Sequence, residues 1–227
     1  IVPNYQSGKT RFTIRSCWSS ENLDPKKGYK RGNSGVFACA DCGTVTTRDY
    51  VANEALSRGL GSFQTAVVAE GDRCRIYLDA SVSRLPSMQF KSTDSALDLE
   101  LSPNPRDVWC RNFGLLKTSD LFTDRQLAAL TTFSDLVGEA MQLIRRDAID
   151  SGQADDSIPL RDGGAGATAY AEAVGTFLGL VISGQSDRMS SICTWDAGGK
   201  TWGTKTRNTF ARQAISMSWD YAEVNPL

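Results

Sequence analysis

The sequence contains no histidine among its 227 residues. This absence excludes Ser-His-Asp and Cys-His nucleophile systems, metal sites with His ligands and His general bases, because each of these needs an imidazole. Any catalysis within the chain would therefore rest on carboxylate, Lys, Tyr or Cys side chains. The carboxylate pair Asp135 and Glu139 is a weak candidate, because both residues fall on the polar face of a predicted helix.

Long apolar runs and an excess of positive charge are also missing. The longest apolar run, 173–183, is about half as long as a bilayer crossing requires, so we predict no membrane partner. Lys and Arg number 25 against 26 Asp and Glu, so nucleic-acid binding would need a local patch of cations. The 6 cysteines are widely spaced, which favours a reducing cytoplasm over a disulfide-linked scaffold.

Residues 1–116 carry the signals of short strands. Thr47–Arg58 is predicted to be a short helix that ends at Gly59, and 81–116, rich in Pro, Ser and Asp, is predicted to be mostly loop. The segments 63–69 and 74–78 flank a predicted hairpin turn. Alternation and β-branched residues predict strands at 11–15, 36–39, 44–46, 63–69 and 74–78.

Residues 117–227 are predicted to be mainly helical. Thr123 and Gln126 have the spacing of a capping box, which starts a helix that lasts to about Asp150. Its apolar stripe is Leu127, Leu130, Phe133, Val137, Met141, Ile144 and Ala148.

A second helix is predicted from about Ala167 to Ser190. Ala171, Gly175 and Gly179 are spaced four apart, which would let another backbone approach closely. The face that we expect to be buried consists of Tyr170, Val174, Phe177, Val181 and Ile182. Together the two halves predict an α+β fold, with a strand-rich region at 1–116 and a helical region at 117–227.

Two cysteines lie on one tight turn in the strand-rich region. Cys39 and Cys42 have the spacing of half a zinc ribbon, in which the turn directs both thiolates at one metal. A structural site needs four ligands, and Cys17 and Cys74 could complete this one only if the fold brings them to the turn. An unmetalled turn and a redox role remain alternatives, the redox role being the weaker because a strand follows instead of a helix. We predict Cys39 and Cys42 as zinc ligands.

A glycine-rich stretch, Asp162–Ala167, precedes the second predicted helix. Such a turn can hold a phosphate or an adenosyl cofactor, but the motif requires a buried strand immediately upstream. The upstream segment 155–161 is acidic and contains Pro159. We therefore interpret Asp162–Ala167 as a loop that enters the helix.

The C-terminal stretch interleaves cations with aromatic rings, as nucleic-acid surfaces do. Its members are Lys200, Lys205, Arg207 and Arg212 among Trp195, Trp202, Phe210 and Trp219. We predict DNA contacts by Lys205, Arg207, Arg212 and Gln213, since the planar fork of Arg binds phosphate or guanine in a bidentate manner. The alternative is a solvated turn followed by an element that buries Phe210, Met217 and Trp219 in the core.

Four stretches carry a resemblance to a known family. The first consists of segments between Arg31 and Leu78, among them Ala66–Arg73. The other three are Leu121–Val137, Gly163–Val174 and Arg207–Pro226. In this order they resemble the adenine-specific DNA methylases that contain a zinc ribbon, a bacterial and archaeal family of long proteins. The likeness is weak in 1–30 and 79–116.

The resemblance implies that this chain is an internal segment of a longer enzyme. In the family, a glycine motif that binds S-adenosylmethionine lies upstream, and an Asp-Pro-Pro-Tyr catalytic motif lies downstream; this sequence contains neither. The whole enzyme would methylate adenine N6 in double-stranded DNA, and the helical region would pack on its Rossmann-like methyltransferase core. We expect no catalytic residue here, and S-adenosylmethionine would be bound mainly outside this segment. The alternative is a non-catalytic zinc-ribbon module that binds nucleic acid or protein.

Overall fold

The computed structural model describes residues 2–6, 9–14, 30–32, 35–39, 42–85, 89–90, 95–196 and 204–225. The helices are α1 (Arg48–Arg58), α2 (Asp124–Asp150) and α3 (Ala167–Ser186). The strands are β1 (Val2–Gln6), β2 (Lys9–Thr13), β3 (Lys30–Arg31), β4 (Val36–Ala38), β5 (Val45–Thr46), β6 (Ala66–Glu70), β7 (Arg75–Asp79), β8 (Trp195–Asp196) and β9 (Lys205–Thr206). All their pairings are antiparallel. This mixed content confirms the predicted α+β class.

The chain divides into two units. The first is Ile1–Ser87 with Pro103–Leu116, and the second is Met88–Ser102 with Lys117–Leu227. The first unit contains the pair β1–β2, the sheet β3-β4-β5 and the hairpin β6–β7. Its buried apolar residues are Ala38, Ala55, Val108, Cys110, Phe113 and Leu115.

Local signals placed α1 and the β6–β7 hairpin correctly. The Thr47 side chain caps α1 by accepting a hydrogen bond from the Tyr50 amide. Gly59 ends the helix with a φ of 74°, a conformation that favours glycine. Gly114 shows the same preference with a φ of 92°, and a Cβ built there would lie 2.7 Å from the Ala55 Cβ. The segment after Trp109–Phe113, a short 3-10 helix, can therefore pack closely against α1 only through a glycine.

In the second unit, α2 and α3 form an antiparallel helical hairpin. The capping box at the start of α2 is confirmed: Thr123 accepts from the Gln126 amide, and the Gln126 side chain accepts from the Thr123 amide. The predicted apolar stripe is also confirmed, because Leu127 is buried and the other stripe residues are half-buried. Ser191 donates its amide to the Leu121 carbonyl at 2.7 Å, which ties the end of α3 to the start of α2.

The predicted buried face of α3 is wrong for three of its five residues, whereas Val174 and Ile182 are half-buried. Tyr170, Phe177 and Val181 are 51, 70 and 68% exposed, and the helix ends at Ser186 instead of Ser190. The residues that are buried are small: Ala167, Ala169, Ala171 and Gly175. A Cβ on Gly175 would lie 2.5 Å from the Met141 sulfur, so α3 approaches α2 through its smallest side chains. Gly179, by contrast, faces open space.

By length and composition alone, α3 is the one helix among the described residues that could cross a membrane, and only 22% of its apolar window is buried within the protein. Buried core helices and signal sequences meet the same criterion. The absence of a membrane partner therefore stays a prediction.

Candidate nucleic-acid interface

Two of the predicted DNA-binding residues, Lys205 and Arg207, belong to a small ladder of three segments. β8 is central: Trp195 pairs with Thr206 and Asp196 pairs with Lys205. The Arg207 amide donates to the Thr194 carbonyl at 2.9 Å and extends this pairing. On the other side of the ladder, Thr194 forms a bridge with Tyr221, and the Ala222 amide donates to the Cys193 carbonyl at 2.6 Å.

Asp187, immediately after α3, holds the turn that follows β9. Its carboxylate accepts hydrogen bonds from the Phe210 amide at 2.7 Å and from the Asn208 side chain, and its carbonyl accepts from the Thr209 amide at 2.7 Å. Burial raises the pKa of Asp187, but these hydrogen bonds and the charge of Arg188 outweigh it, so the pKa lies below its ordinary value. The carboxylate is therefore charged at neutral pH, and its hydrogen bonds hold the turn.

A buried polar cluster lies beneath this turn. Ser190 and Thr209 share a hydrogen bond of 2.8 Å between hydroxyl oxygens, and Thr209 lies 3.0 Å from the Cys193 sulfur. Ser190 and Cys193 are fully buried, and Thr209 is 6% exposed. Because these groups satisfy one another away from solvent, the cluster anchors the turn and offers no accessible nucleophile.

An ion pair joins the last described segment to the start of α2. The guanidinium of Arg125 donates to both carboxylate oxygens of Glu223, at 2.7 and 2.9 Å. The Thr123 hydroxyl donates to the same carboxylate at 3.4 Å. The hydrogen bond to Glu223 raises the pKa of Arg125, against the opposing effect of burial. The carboxylate also lies at the helix N-terminus, where the helix dipole favours negative charge.

Lys205 and Arg207 lie on one face of the ladder. Both are exposed while Thr206 between them is half-buried, as the period of a strand requires. Asp196 lies opposite Lys205 and forms an ion pair of 3.4 Å with Arg207, which partly neutralises this face. Arg212 and Gln213 are exposed in the turn after Phe210. Lys200 and Trp202 lie outside the described residues.

Two aromatic residues of this stretch, Phe210 and Trp219, have surface positions. Phe210 is 48% exposed and Trp219 is 47% exposed, so neither is part of the core. Met217 is half-buried. The alternative that Phe210, Met217 and Trp219 lie in the core is therefore wrong for Phe210 and Trp219. The exposure of these two rings is compatible with the predicted surface of cations and aromatic rings.

Sequence reasoning missed Arg188. It is exposed at the end of α3, and its guanidinium donates to the Thr206 carbonyl at 3.4 Å, between Lys205 and Arg207. It lies seventeen residues before Lys205, beyond the stretch in which the cations cluster in sequence. A basic residue at a helix C-terminus is usually explained by the helix dipole, so no local signal pointed to this ladder.

The glycine-rich stretch before α3 is a loop, as predicted, and its potential anion site is already occupied by the chain. Asp155 accepts hydrogen bonds at 3.0 Å from both the Thr168 amide and the Thr168 hydroxyl in the first turn of α3. Arg145 binds the same carboxylate at 2.6 Å, and this contact is the main cause that lowers the pKa of Asp155. A carboxylate thus takes the position that a bound phosphate would need.

The turn predicted to bind zinc carries two exposed thiols. The Cys39 amide donates to the Thr44 carbonyl at 2.8 Å and the Gly43 amide to the Cys39 carbonyl at 2.9 Å, which closes a tight turn with both thiols exposed. The Cys42 thiol lies 3.1 Å from the Thr44 hydroxyl. The described residues hold no group of three or more Cys, Asp or Glu that could bind a metal, and Cys17 lies outside them. Zinc binding stays a prediction.

The described residues do not fit S-adenosylmethionine. Their sheets are small and antiparallel, without the parallel strand, glycine turn and helix that cradle such a cofactor. Comparisons with protein-family models, with curated proteins and with solved structures find no match to this chain.

Proposed function

We propose that this chain is a segment of an S-adenosylmethionine-dependent DNA N6-adenine methyltransferase, in which it supplies scaffold and contacts to double-stranded DNA. The observation that carries the proposal concerns the stretches that resemble the methylase family. Leu121–Val137, Gly163–Val174 and Arg207–Asn225 are far apart in the sequence, yet all three belong to the second unit. Arg125 in the first of these stretches binds Glu223 in the third. Gly175, which directly follows the second stretch, lies against Met141 of α2.

The outer face of α3 supports a role as scaffold within a larger enzyme. Phe177, Leu180 and Val181 are each more than 60% exposed, and the helix carries one charged residue, Glu172. Contiguous exposed apolar surface of this kind marks an interaction site. A Rossmann-like methyltransferase core packed on this face would bury it.

The ladder supports the DNA contacts. Lys205 and Arg207 share one exposed face, and the exposed Arg212 lies two residues after Phe210, whose amide binds Asp187. The chain as a whole is nearly neutral, so this local set of cations is what phosphate binding requires.

Two assays test the proposal in the complete enzyme. Methyl transfer from labelled S-adenosylmethionine to adenine in duplex DNA should be detected, and its absence would contradict the assignment. Charge reversal of Arg207 and Arg212 should weaken DNA binding, most visibly at low salt, because each lost phosphate contact lowers the slope of log K against log salt by about 0.9. The matched control reverses Arg146 and Arg161, which are exposed on other elements, and should bind normally.

The second candidate is a non-catalytic zinc-ribbon module that binds nucleic acid or protein. The turn with two exposed thiols at Cys39 and Cys42 favours it. Metal analysis of the purified chain, with a Cys39→Ser and Cys42→Ser variant as control, would detect zinc. Calorimetric titration with S-adenosylmethionine separates the candidates further, since a module of this kind would not bind the cofactor even within the complete protein.

A further inference from the structure

The hairpin β6–β7 is a sheet of only two strands, and no other strand that the structure describes adjoins it. An isolated hairpin is at most marginally stable in water, and each edge strand presents a row of backbone donors and acceptors. Bulges and prolines often block further pairing at such an edge. β7 has neither, because its register with β6 is regular over all 5 residues and it contains no proline. β7 is therefore an edge that can accept another strand.

The hydrogen bonds of the hairpin decide which backbone groups of β7 face outward. The Gly71 amide donates to the Cys74 carbonyl at 2.8 Å, so these two residues form a hydrogen-bonded pair. In an antiparallel ladder such pairs alternate with pairs that make no hydrogen bonds. Along the register, the N–H and C=O groups that point away from β6 are consequently those of Arg75, Tyr77 and Asp79.

The side chains of β7 complement a second copy of the same strand. Arg75 and Asp79 are the charged residues of β7, one at each end, and Tyr77 is its middle residue. An antiparallel pair of two β7 strands centred on Tyr77 places Arg75 of each copy opposite Asp79 of the other. Opposite charges at such positions stabilise a sheet, and like charges destabilise it. The other edge lacks this property, because self-pairing of β6 about its middle residue places Glu70 opposite Ala66.

Both charged residues can form these pairs while keeping their present contacts. The Arg75 guanidinium lies 3.3 Å from the Glu70 carboxylate, in a pair whose Glu70 side chain is 84% exposed, and it has further N–H donors. The Asp79 carboxylate accepts from the Ser81 amide at 2.9 Å, and this bond is the main cause that lowers the pKa of Asp79. The Asp79 carbonyl accepts from the Val82 amide at 3.1 Å, and its second lone pair can serve an added strand.

Apolar side chains on both faces of the hairpin would gain cover from a second copy. Val68 and Tyr77 are a cross-strand pair on one face, each 38% exposed, and Ile76 on the other face is 42% exposed. In a β7 pair centred on Tyr77, Ile76 of one copy adjoins Leu78 of the other. Cross-strand contacts of aromatic and β-branched residues stabilise sheets. A sheet of two hairpins therefore buries apolar surface that one hairpin leaves in water.

We propose that β7 is a dimerisation edge, which pairs with β7 of a second copy in antiparallel register about Tyr77. The product is a sheet with the strand order β6-β7-β7-β6. Its two-fold axis passes between the two Tyr77 residues, so the contact is isologous and closes on itself. The inference concerns the hairpin alone and does not depend on the methyltransferase assignment.

Sedimentation equilibrium of the 227-residue chain at low salt measures the association. The wild-type chain should form a dimer as its concentration rises. Asp79→Arg places two cations opposite each other at both ends of the strand pair, so it should raise the dissociation constant about tenfold or more. Asp72→Arg makes the same change of net charge in the exposed turn of the hairpin, outside β7, and should dimerise as the wild type does.

A mixture of two variants tests the register. The reciprocal chain carries Arg75→Asp together with Glu70→Gln, which avoids a like-charge pair inside the hairpin. Like the Asp79→Arg chain, it should stay monomeric where the wild type is dimeric. An equimolar mixture of the two chains restores opposite charges at both ends and should form a heterodimer, a recovery that damage to the fold cannot produce.

Hydrogen–deuterium exchange locates the contact. The amides of Arg75, Tyr77 and Asp79 should exchange more slowly at high than at low protein concentration, and in the Asp79→Arg chain this difference should vanish. The double variant with Phe177→Gln and Val181→Lys changes the exposed face of α3 and should remain dimeric.

Three results would overturn the proposal. The first is a wild-type chain that stays monomeric over the whole concentration range. The second is a dimer that Asp79→Arg leaves unchanged. The third is a dimer that the double variant of α3 abolishes, because the contact would then lie on α3. None of these results bears on methyl transfer or on DNA binding, which the assays of the complete enzyme decide separately.

Discussion

Arg125 and Glu223 are 98 residues apart in the sequence, yet their two hydrogen bonds join the start of α2 to the last described segment. Their side chains are 22 and 15% exposed, so solvent screens the pair only partly. Glu223 also accepts the Thr123 hydroxyl, and Thr123 is at the same time the cap of α2. One carboxylate therefore couples a local helix signal to a distant part of the chain.

Removing this carboxylate should destabilise the second unit. Glu223→Gln leaves the guanidinium with a neutral partner, and Glu223→Ala leaves it with none; we expect losses of about 1 and about 2 kcal/mol in the free energy of unfolding. The double variant with Arg125→Glu and Glu223→Arg should recover only part of the loss, because a cation is unfavourable at a helix N-terminus.

Urea denaturation of the 227-residue chain measures these changes. Asp147→Asn serves as control, since the Arg146–Asp147 pair is 65 and 68% exposed and should contribute less than about 0.5 kcal/mol. A loss at Glu223 as small as that of the control would show that the pair does not hold the two segments together.

At the scale of the element, α3 reverses the usual expectation for an apolar helix. Tyr170, Phe177 and Val181 are exposed, whereas the fully buried residues are three alanines and Gly175, which lies against Met141 of α2. The reason is the short distance between the helices, because a Cβ at Gly175 would overlap Met141. The spacing of the large apolar residues identified the helix but indicated the wrong face. The predicted close approach through small residues is confirmed at Gly175, where Met141 lies against the backbone, and not at Gly179.

Two glycines of α3 make a matched pair for testing this packing. Gly179→Ala should stabilise the chain by about 0.5–1 kcal/mol, since alanine is the better helix former and no atom lies within 4 Å of the new Cβ. Gly175→Ala gains the same propensity but forces Met141 to move, so we expect a net loss of stability. Thermal or urea unfolding of both variants checks the difference, and equal effects would contradict the close approach.

At the scale of the whole molecule, the exposed apolar face of α3 can distinguish two hypotheses: a chain that is stable by itself, and a segment of a larger protein that covers this face. Phe177 and Val181 contribute little to the stability of the chain itself, because they are 70 and 68% exposed. If a methyltransferase core covers them, each would contribute about 1.5–3 kcal/mol there.

The double variant with Phe177→Gln and Val181→Lys tests this difference. The melting temperature of the 227-residue chain should change little, whereas the complete enzyme should melt earlier or lose the contact between its domains. The conservative variant with Phe177→Leu and Val181→Ile preserves the apolar surface and should leave both proteins unchanged. If the polar variant changes the melting temperature of the complete enzyme as little as that of the isolated chain, this face stays in solvent.

The sequence by itself determined the features that depend on neighbours along the chain. The capping box of Thr123 and Gln126, the cap of α1 at Thr47 and the turn between β6 and β7 all arise from contacts among residues a few positions apart. Their hydrogen bonds form wherever the rest of the chain lies, so a local pattern is sufficient. The exposure of Lys205, Arg207 and Arg212 also follows from their charge, which burial without a partner would penalise.

Only the tertiary structure decided which surfaces and charges meet. The buried face of α3 depends on the side chains of α2 that it packs against. The Arg125–Glu223 pair forms because the C-terminal segment packs beside the start of α2. The position of Arg188 depends on its hydrogen bond to Thr206. Close packing and ion pairing act over a few ångströms in space, and two residues a hundred positions apart leave no periodic signal in the sequence. Those contacts exist only after the second unit has folded.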